Sequence, residues 1–229
     1  MIELLNVSKI YKNETVALDN ISLNIGEGVF GLLGRNGAGK TTLLRILTTI
    51  IKPTKGEVNI LGNVGYMPQE FGFYKEFTVK EIMEYICILR NIDYKRNKVS
   101  IEILLENLNL KAQENKKYKN LSGGMKRRLG LAQAMIEEPE ILIVDEPTAG
   151  VDPQERIRIR NLLLDYGKTH TVIFSTHIIE DIEHICTNLA ILDYGKLLFC
   201  GSLDSAIVSG VSLEEFYVNI TKEELKCKL

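Results

Sequence analysis

The stretch Gly34-Arg35-Asn36-Gly37-Ala38-Gly39-Lys40-Thr41 decides the fold of this chain. Its spacing satisfies GxxxxGK[ST], the pattern of a loop that binds nucleotide phosphates. Glycines in such a loop let backbone N–H groups converge on a β-phosphate, and the positive end of the following helix faces that anion. We expect Lys40 to reach the β- and γ-phosphates and the Thr41 hydroxyl to bind Mg²⁺. We assign the whole loop and Thr42 to the nucleotide site.

The segments on either side of this loop favour phosphate binding over an ordinary glycine-rich turn. Residues Val29–Leu33 are apolar throughout, which is typical of a strand buried on both faces. After the loop, apolar residues recur on one face of a helix predicted over Lys40–Ile51, and Pro53 ends it. A strand, a loop and a helix in this order are the context that the motif requires.

Two acidic residues follow a second buried strand. The run Ile141–Val144 is apolar and ends in Asp145 and Glu146. The carboxyl ends of parallel strands meet at one edge of a sheet, so both acids are expected beside the phosphate loop. We expect Asp145 to hold Mg²⁺ through water and Glu146 to polarise the attacking water. An acidic turn after a strand is common by itself, and the first motif argues against that reading here.

The remaining patterns predict an α/β P-loop NTPase. Alternation at Ile21–Ile25 indicates an N-terminal antiparallel β part, and the apolar runs near residues 141 and 172 indicate a mostly parallel central sheet. Helical periodicity fills residues 76–139, where Thr78-Val79-Lys80-Glu81 forms a capping box. We therefore predict a single domain over residues 1–229. Residues 1–75 and 140–229 would form its nucleotide-binding core, and residues 76–139 an inserted α-helical subdomain.

Composition excludes several other classes of protein. The 229 residues are 45% hydrophobic and 25% charged, with a net charge of −2, which argues against a nucleic-acid binder. The four cysteines form no CxxC pair, so we expect neither a disulfide framework nor a zinc site. The first residues have no basic region before an apolar run, so we expect no signal peptide. The apolar runs are too short to span a bilayer, so we expect a cytoplasmic protein.

The segment Leu121-Ser122-Gly123-Gly124-Met125, between the two phosphate motifs, resembles the LSGGQ signature of the ATP-binding-cassette (ABC) family. The resemblance extends over essentially the whole chain and implies an ATPase that uses ATP and Mg²⁺. It also implies a head-to-tail homodimer or heterodimer in which Ser122, Gly123 and Gly124 contact ATP held by the other subunit. Met125 replaces the family's Gln. Since Ser122 and the glycine amides remain, we expect the phosphate contact to be kept; the segment can serve as a helix N-cap as well.

The same resemblance implies roles for residues outside these motifs. Tyr11 is similar to the aromatic residue that stacks on adenine, although a strand-edge tyrosine is the alternative. Gln69 matches the glutamine of the Q-loop, which contacts Mg²⁺ and the attacking water, and His177 matches the switch histidine that faces the γ-phosphate. Residues 149–152 resemble the D-loop, which touches the partner subunit. The implied catalytic set is Glu146, His177 and Gln69, and the implied Mg²⁺ set is Thr41, Gln69 and Asp145.

The resemblance implies the ATPase subunit of a transporter that energises a separately encoded membrane permease. The runs around Gln69 and residues 149–153 are similar to exporter-type members, and such a subunit is peripheral on the cytoplasmic face of the cell membrane. The aromatic segment Phe71-Gly72-Phe73-Tyr74 is then a hypothetical permease dock, with packing of the helical subdomain as the alternative.

Other functions stay open from the sequence alone. A soluble ABC-type ATPase that is not linked to transport would carry a coiled-coil insertion or a second cassette, and neither is visible. A GTP switch would show Asn-Lys-x-Asp, which Asn97-Lys98-Val99-Ser100 does not match. For a purely regulatory nucleotide-binding module, Glu146 would be inert.

Overall fold

The computed structural model describes residues 1–207 and 211–226. Its strands are β1 (Ile2–Ile10), β2 (Val16–Ile25), β3 (Gly28–Leu33), β4 (Lys55–Ile60), β5 (Val64–Met67), β6 (Ile141–Asp145), β7 (Thr171–Thr176), β8 (Asn188–Asp193) and β9 (Lys196–Ser202). Its α-helices are α1 (Lys40–Leu47), α2 (Val79–Leu89), α3 (Tyr94–Asn107), α4 (Gly123–Met135), α5 (Pro153–Tyr166), α6 (Ile179–Ile185), α7 (Leu203–Ala206) and α8 (Leu213–Lys226).

A six-stranded sheet forms the centre, in the order β5-β6-β7-β3-β8-β9. All its pairs are parallel except β8 with β9, which confirms the mostly parallel sheet. The register aligns Leu33 with Thr176 and Asp145 with Ser175. The phosphate loop, the acidic pair and His177 therefore leave neighbouring strands at the same sheet edge.

The N-terminal antiparallel part is a three-stranded sheet in the order β2-β1-β4. The sequence patterns did not predict β1. Its pairing with β2 is irregular between Leu4 and Val7, where Asn6 has a φ of 52°. This bulge interrupts the two-residue alternation by which a half-buried strand is recognised.

Two helices end earlier than the periodicity predicts. Helix α1 stops at Leu47, not Ile51, because Thr49 adopts a left-handed φ of 58°. Helix α4 stops at Met135, although the helical periodicity extends to residue 139. Glu137 and Glu138 have φ values of 66° and 46°, which take the chain out of the helix before Pro139. Both exits use left-handed residues that are not glycine, so no sequence signal marks them.

Packing on the two faces of the central sheet fixes its position. One buried cluster joins the sheet to helices α2–α5, and the other joins it to α1 and the antiparallel sheet. Helices α2–α4 occupy part of the predicted subdomain 76–139, and the division of the chain at that segment stays a prediction. Within residues 1–207 and 211–226, no helix combines the length and apolar character that crossing a bilayer requires.

Candidate nucleotide-binding site

The phosphate loop connects β3 to α1, and Gly39 is the N-cap of that helix. Gly39 has a φ of 107°, and a Cβ there would lie 2.6 Å from the carbonyl oxygen of Ala17. Any side chain at this position would be both strained and blocked. The absence of a side chain at Gly39 therefore lets β2 pack directly against the loop. The N–H groups at the start of α1 can face an anion.

Lys40 is folded back over this loop. Its side chain is buried, and Nζ donates to the carbonyl oxygens of Gly34 at 2.6 Å and Arg35 at 3.2 Å. The same ammonium lies 3.2 Å from Oε1 of Glu146. The cation is thus held between the loop and the acidic pair.

Arg35 fixes the loop to the end of β8, the neighbour of β3 on the side away from β6 and β7. Its guanidinium donates to both carboxylate oxygens of Asp193, at 2.7 and 3.2 Å, and lies 4.1 Å from the centre of the Tyr194 ring. The hydrogen bonding to Asp193, more than any other cause, raises the pKa of Arg35. The sequence patterns do not predict this anchor, because nothing local connects positions 35 and 193.

Asp145 is completely buried at the end of β6. The Ser175 hydroxyl donates to its Oδ1 at 2.5 Å, whereas Oδ2 accepts no hydrogen bond in the described part of the chain. A buried carboxylate oxygen without a partner is costly. This oxygen fits a water ligand of a bound cation. Ser175, which orients Asp145, was not identified from the sequence as a site residue, although it lies in β7, the strand that pairs with β6.

Glu146 is held at the junction of the loop and the histidine. Its Oε2 lies 2.8 Å from Nδ1 of His177, and because a carboxylate only accepts, the histidine nitrogen carries the proton. Its Oε1 faces Lys40 but accepts no hydrogen bond within the described residues. The residue is 2% exposed and has a φ of 52°, and its backbone N–H donates to Ser175. The structure thus brings Glu146, His177 and Lys40 together.

Tyr11 and Gln69 lie on either side of the loop. The Tyr11 hydroxyl is 3.4 Å from the Thr42 hydroxyl at the start of α1, and 37% of the Tyr11 residue surface is exposed. Gln69 is exposed and follows β5, the neighbour of the strand that carries Asp145. Tyr66 lies on β5. Burial and then the charge of Asp145 raise the pKa of Tyr66 to about 12, so its phenol stays neutral.

Ser122 begins α4, and its hydroxyl accepts a hydrogen bond from the Met125 backbone N–H at 3.2 Å. Gly124 lies so close to Glu155 that an added Cβ would be 2.4 Å from its Cγ. In the described part of the chain, no hydrogen bond or ion pair joins Ser122, Gly123 or Gly124 to the phosphate loop. Ser122 and Gly123 are exposed and form a surface separate from the phosphate loop.

The oxygen donors beside the loop fit Mg²⁺ bound together with nucleotide phosphates better than a metal ion bound by protein side chains alone. Across residues 1–207 and 211–226, no group of three or more His, Cys, Asp or Glu side chains could hold a metal ion. Mg²⁺ is usually bound by one or two carboxylates together with substrate phosphates. The unpaired Asp145 oxygen and the Thr41 hydroxyl beside the loop match that pattern.

Comparison with known proteins identifies the family. The family model for ABC transporters matches residues 18–149, more than half of the chain. The ABC transporter ATP-binding protein YxlF of Bacillus subtilis is 34% identical over 89% of this chain and 71% of its own length. An ABC transporter ATP-binding protein of Synechocystis is 38% identical over 89% of this chain and 63% of its own. The Nod factor export ATP-binding protein I of Paraburkholderia xenovorans is 35% identical over 93% and 74%.

Solved structures agree with the sequence relatives. The structure of the ATP-binding subunit of an ABC transporter has a TM-score of 0.85 at 25% identity and covers 96% of this chain and 99% of that one. The dimeric structure of a bacterial ABC transporter cassette has a TM-score of 0.76 at 28% identity, over 89% and 99%. The chain spans roughly two thirds to three quarters of the bacterial relatives' length. It belongs to the ABC transporter family, as an ATP-binding domain of the kind that hydrolyses ATP.

Proposed function

We propose that this chain is the ATP-hydrolysing subunit that energises export through a separately encoded membrane permease. The contact network of Glu146 carries the hydrolytic part of the proposal, because a buried carboxylate beside Lys40 and His177 has the surroundings of a general base. The relative from Paraburkholderia xenovorans, a Nod factor export ATP-binding protein, supports the direction of transport.

Each side chain then has a definite role at bound ATP. Lys40 exchanges its carbonyl partners Gly34 and Arg35 for the β- and γ-phosphates, which are stronger acceptors because they are charged. Glu146 loses its lysine neighbour but keeps His177, so its Oε1 becomes free to take a proton from the attacking water. His177 positions Glu146 from the side opposite Lys40.

The remaining site residues bind and orient. Thr41, Gln69 and Asp145 would hold Mg²⁺, which when bound would neutralise charge on the phosphates. Tyr11 would stack its exposed ring on adenine, next to Thr42. The loop amides from Gly34 to Thr41 surround the phosphates.

A second ATPase domain completes the site. Ser122, Gly123 and Gly124 contact the ATP of the opposing subunit, in a homodimer or a heterodimer. The dimeric cassette structure supports this arrangement, as does the exposure of Ser122 and Gly123. Closing such a dimer from 1:99 to 99:1 requires about 5.5 kcal/mol. One or two charge-assisted hydrogen bonds at each site, worth about 1.5–3 kcal/mol each, can supply it.

The permease docks on the aromatic face beside the Q-loop. Phe71 and Phe73 are partly buried against the helical core, and Phe73 packs edge-on to Tyr118 at 5.5 Å, so packing accounts for these two rings. Tyr74 is 60% exposed and contacts the rings of Phe77 and Tyr85 around a cleft of about 420 Å³. Tyr74 is therefore the better contact for a permease. Docking there would place the chain at the cytoplasmic face of the membrane. The proposed function involves no nucleic-acid partner.

The test is Mg²⁺-dependent ATPase activity with and without the membrane protein that co-purifies with the chain. We expect the partner to stimulate hydrolysis and the Tyr74→Glu variant to lose the partner while keeping basal activity. If an active chain never associates with membranes, the alternative of a soluble ABC-type ATPase is correct. If it binds ATP but does not hydrolyse it in any complex, it is a regulatory module.

A further inference from the structure

One arginine on α4 joins the Q-loop to the segment that follows the acidic pair. Nη1 of Arg127 donates to the carbonyl oxygen of Gln69 at 2.7 Å. Nη2 of the same side chain is 3.4 Å from the carbonyl oxygen of Ala149. The first carbonyl belongs to the Q-loop and the second to the segment that follows Glu146, so a single planar group spans both.

The position of this arginine has an electrostatic cost. Arg127 is half-buried, and burial is the main cause that lowers the pKa of its guanidinium, while the charge of Glu146 opposes the shift. No carboxylate in the described part of the chain lies within ion-pair distance of it. The guanidinium is thus satisfied by backbone carbonyls, which suits a group that positions backbone.

Besides the hydrogen bond of Arg127, two other contacts hold the Q-loop and the strand before it against α4. The ring of Phe71 fills the space where a Cβ of Gly130 would be, 2.5 Å from the nearest ring atom. The side chain of Gln133 donates to the carbonyl oxygen of Tyr66 at 2.6 Å. The strand before Gln69 and the loop after it therefore both pack on α4 and should move with it.

Arg127 extends this rigid unit to the catalytic turn. The backbone N–H of Ala149 donates to the carbonyl oxygen of Glu146 at 3.2 Å, which closes a tight turn behind the carboxylate. A shift of the Ala149 carbonyl must therefore shift the backbone of Glu146. Because the guanidinium bonds both carbonyls, a displacement of Gln69 or of α4, the helix that begins at the signature, also displaces this turn.

We propose that Arg127 is a positioning residue that couples the Q-loop, the signature helix and the turn behind Glu146. It touches neither substrate nor reacting atoms. The inference rests on the proposed function for its consequence in catalysis, but the coupling itself is a property of the chain without nucleotide.

Amide hydrogen exchange of the full-length, nucleotide-free chain tests the coupling without any need for hydrolysis. The variants are Arg127→Met, Arg127→Lys and, as a matched control, Arg96→Met, which removes an 87% exposed arginine from α3. We expect Arg127→Met to accelerate exchange at residues 69–71 and at residues 148–150 by about tenfold. Arg127→Lys keeps the charge but has a single nitrogen in place of Nη1 and Nη2, so it should hold one carbonyl and accelerate exchange in the other segment only. The control should change neither segment.

Steady-state kinetics give the second readout. We expect Arg127→Met to lower kcat by about tenfold with a KM for ATP within about threefold of wild type, since the loop that binds ATP is untouched. Unchanged exchange in both segments for both Arg127 variants would overturn the proposal. If Arg127→Met is unfolded by circular dichroism, Arg127→Lys decides, and wild-type exchange in that variant also overturns it. Altered exchange in a chain that hydrolyses no ATP would refute the proposed function and leave the coupling intact.

Discussion

Replacing Glu146 by glutamine isolates the charge of the proposed base from its size. The Glu146 side chain is buried between Lys40 at 3.2 Å and His177 at 2.8 Å, so glutamine fills the same space. The amide can accept the histidine N–H but cannot take a proton from water. Loss of a general base costs about 10²- to 10⁴-fold in rate, and we expect kcat to fall within that range.

The same substitution should not weaken ATP binding. At 3.2 Å, the attraction between Glu146 and Lys40 is about 5 kcal/mol at an effective dielectric constant of 20. Desolvation of both groups offsets most of this attraction. Removing it frees Lys40 for the phosphates, so we expect the Kd for ATP to stay equal or to fall by up to about tenfold.

The assay combines phosphate release with a nucleotide titration, both in Mg²⁺. Glu183→Gln is the matched control, because Glu183 is an exposed carboxylate on α6 and its loss should leave both quantities unchanged. Wild-type hydrolysis by Glu146→Gln would refute the assignment of the base. A large loss of ATP affinity would refute the proposed competition for Lys40.

Three further substitutions test the rest of the site. Ser122→Arg should abolish hydrolysis in the dimer and leave ATP affinity of isolated monomers unchanged; weaker monomer binding in a titration would contradict its role in the opposite site. Asp193→Asn removes the charge that holds Arg35, and we expect the Kd for ATP to rise about three- to tenfold, so an unchanged Kd would show that the loop needs no anchor. Lys119 and then Lys117 lower the pKa of Glu76 to about 2 from 4.5, so its stabilising effect is present above pH 4.5 and disappears as the pH falls toward 2. Urea unfolding of Glu76→Gln should therefore differ from wild type slightly at pH 7 and less at pH 3, and a growing difference would contradict this sign.

The parts of the fold that sequence predicts best are those with local causes. Gly39 is predictable as part of the loop because only glycine tolerates the φ of this position and its close contact with β2. Asp145 reveals itself because a fully apolar strand precedes it. Strand β1 is not predicted, because the bulge at Asn6 interrupts the alternation of buried and exposed residues. Helix α1 is shorter than predicted, because no local sequence signal marks the left-handed conformation of Thr49.

The contacts between distant segments could not be predicted in this way. Arg35 and Asp193 meet only when β3 and β8 pair. They are 158 positions apart, and no sequence pattern indicates their contact. The contact of Lys40 with Glu146 likewise needs the folded sheet edge. No sequence pattern predicts a role for Arg127, and only the structure shows which carbonyls it reaches.

The central claim is tested most directly by phosphate release from ATP in the presence of Mg²⁺. The chain is assayed together with its co-purified membrane partner, as wild type and as Lys40→Ala. We expect wild type to hydrolyse ATP and Lys40→Ala to be slower by at least about 100-fold, because the phosphate charge loses its buried cation. Equal rates for both proteins, or no release from wild type, would contradict the account.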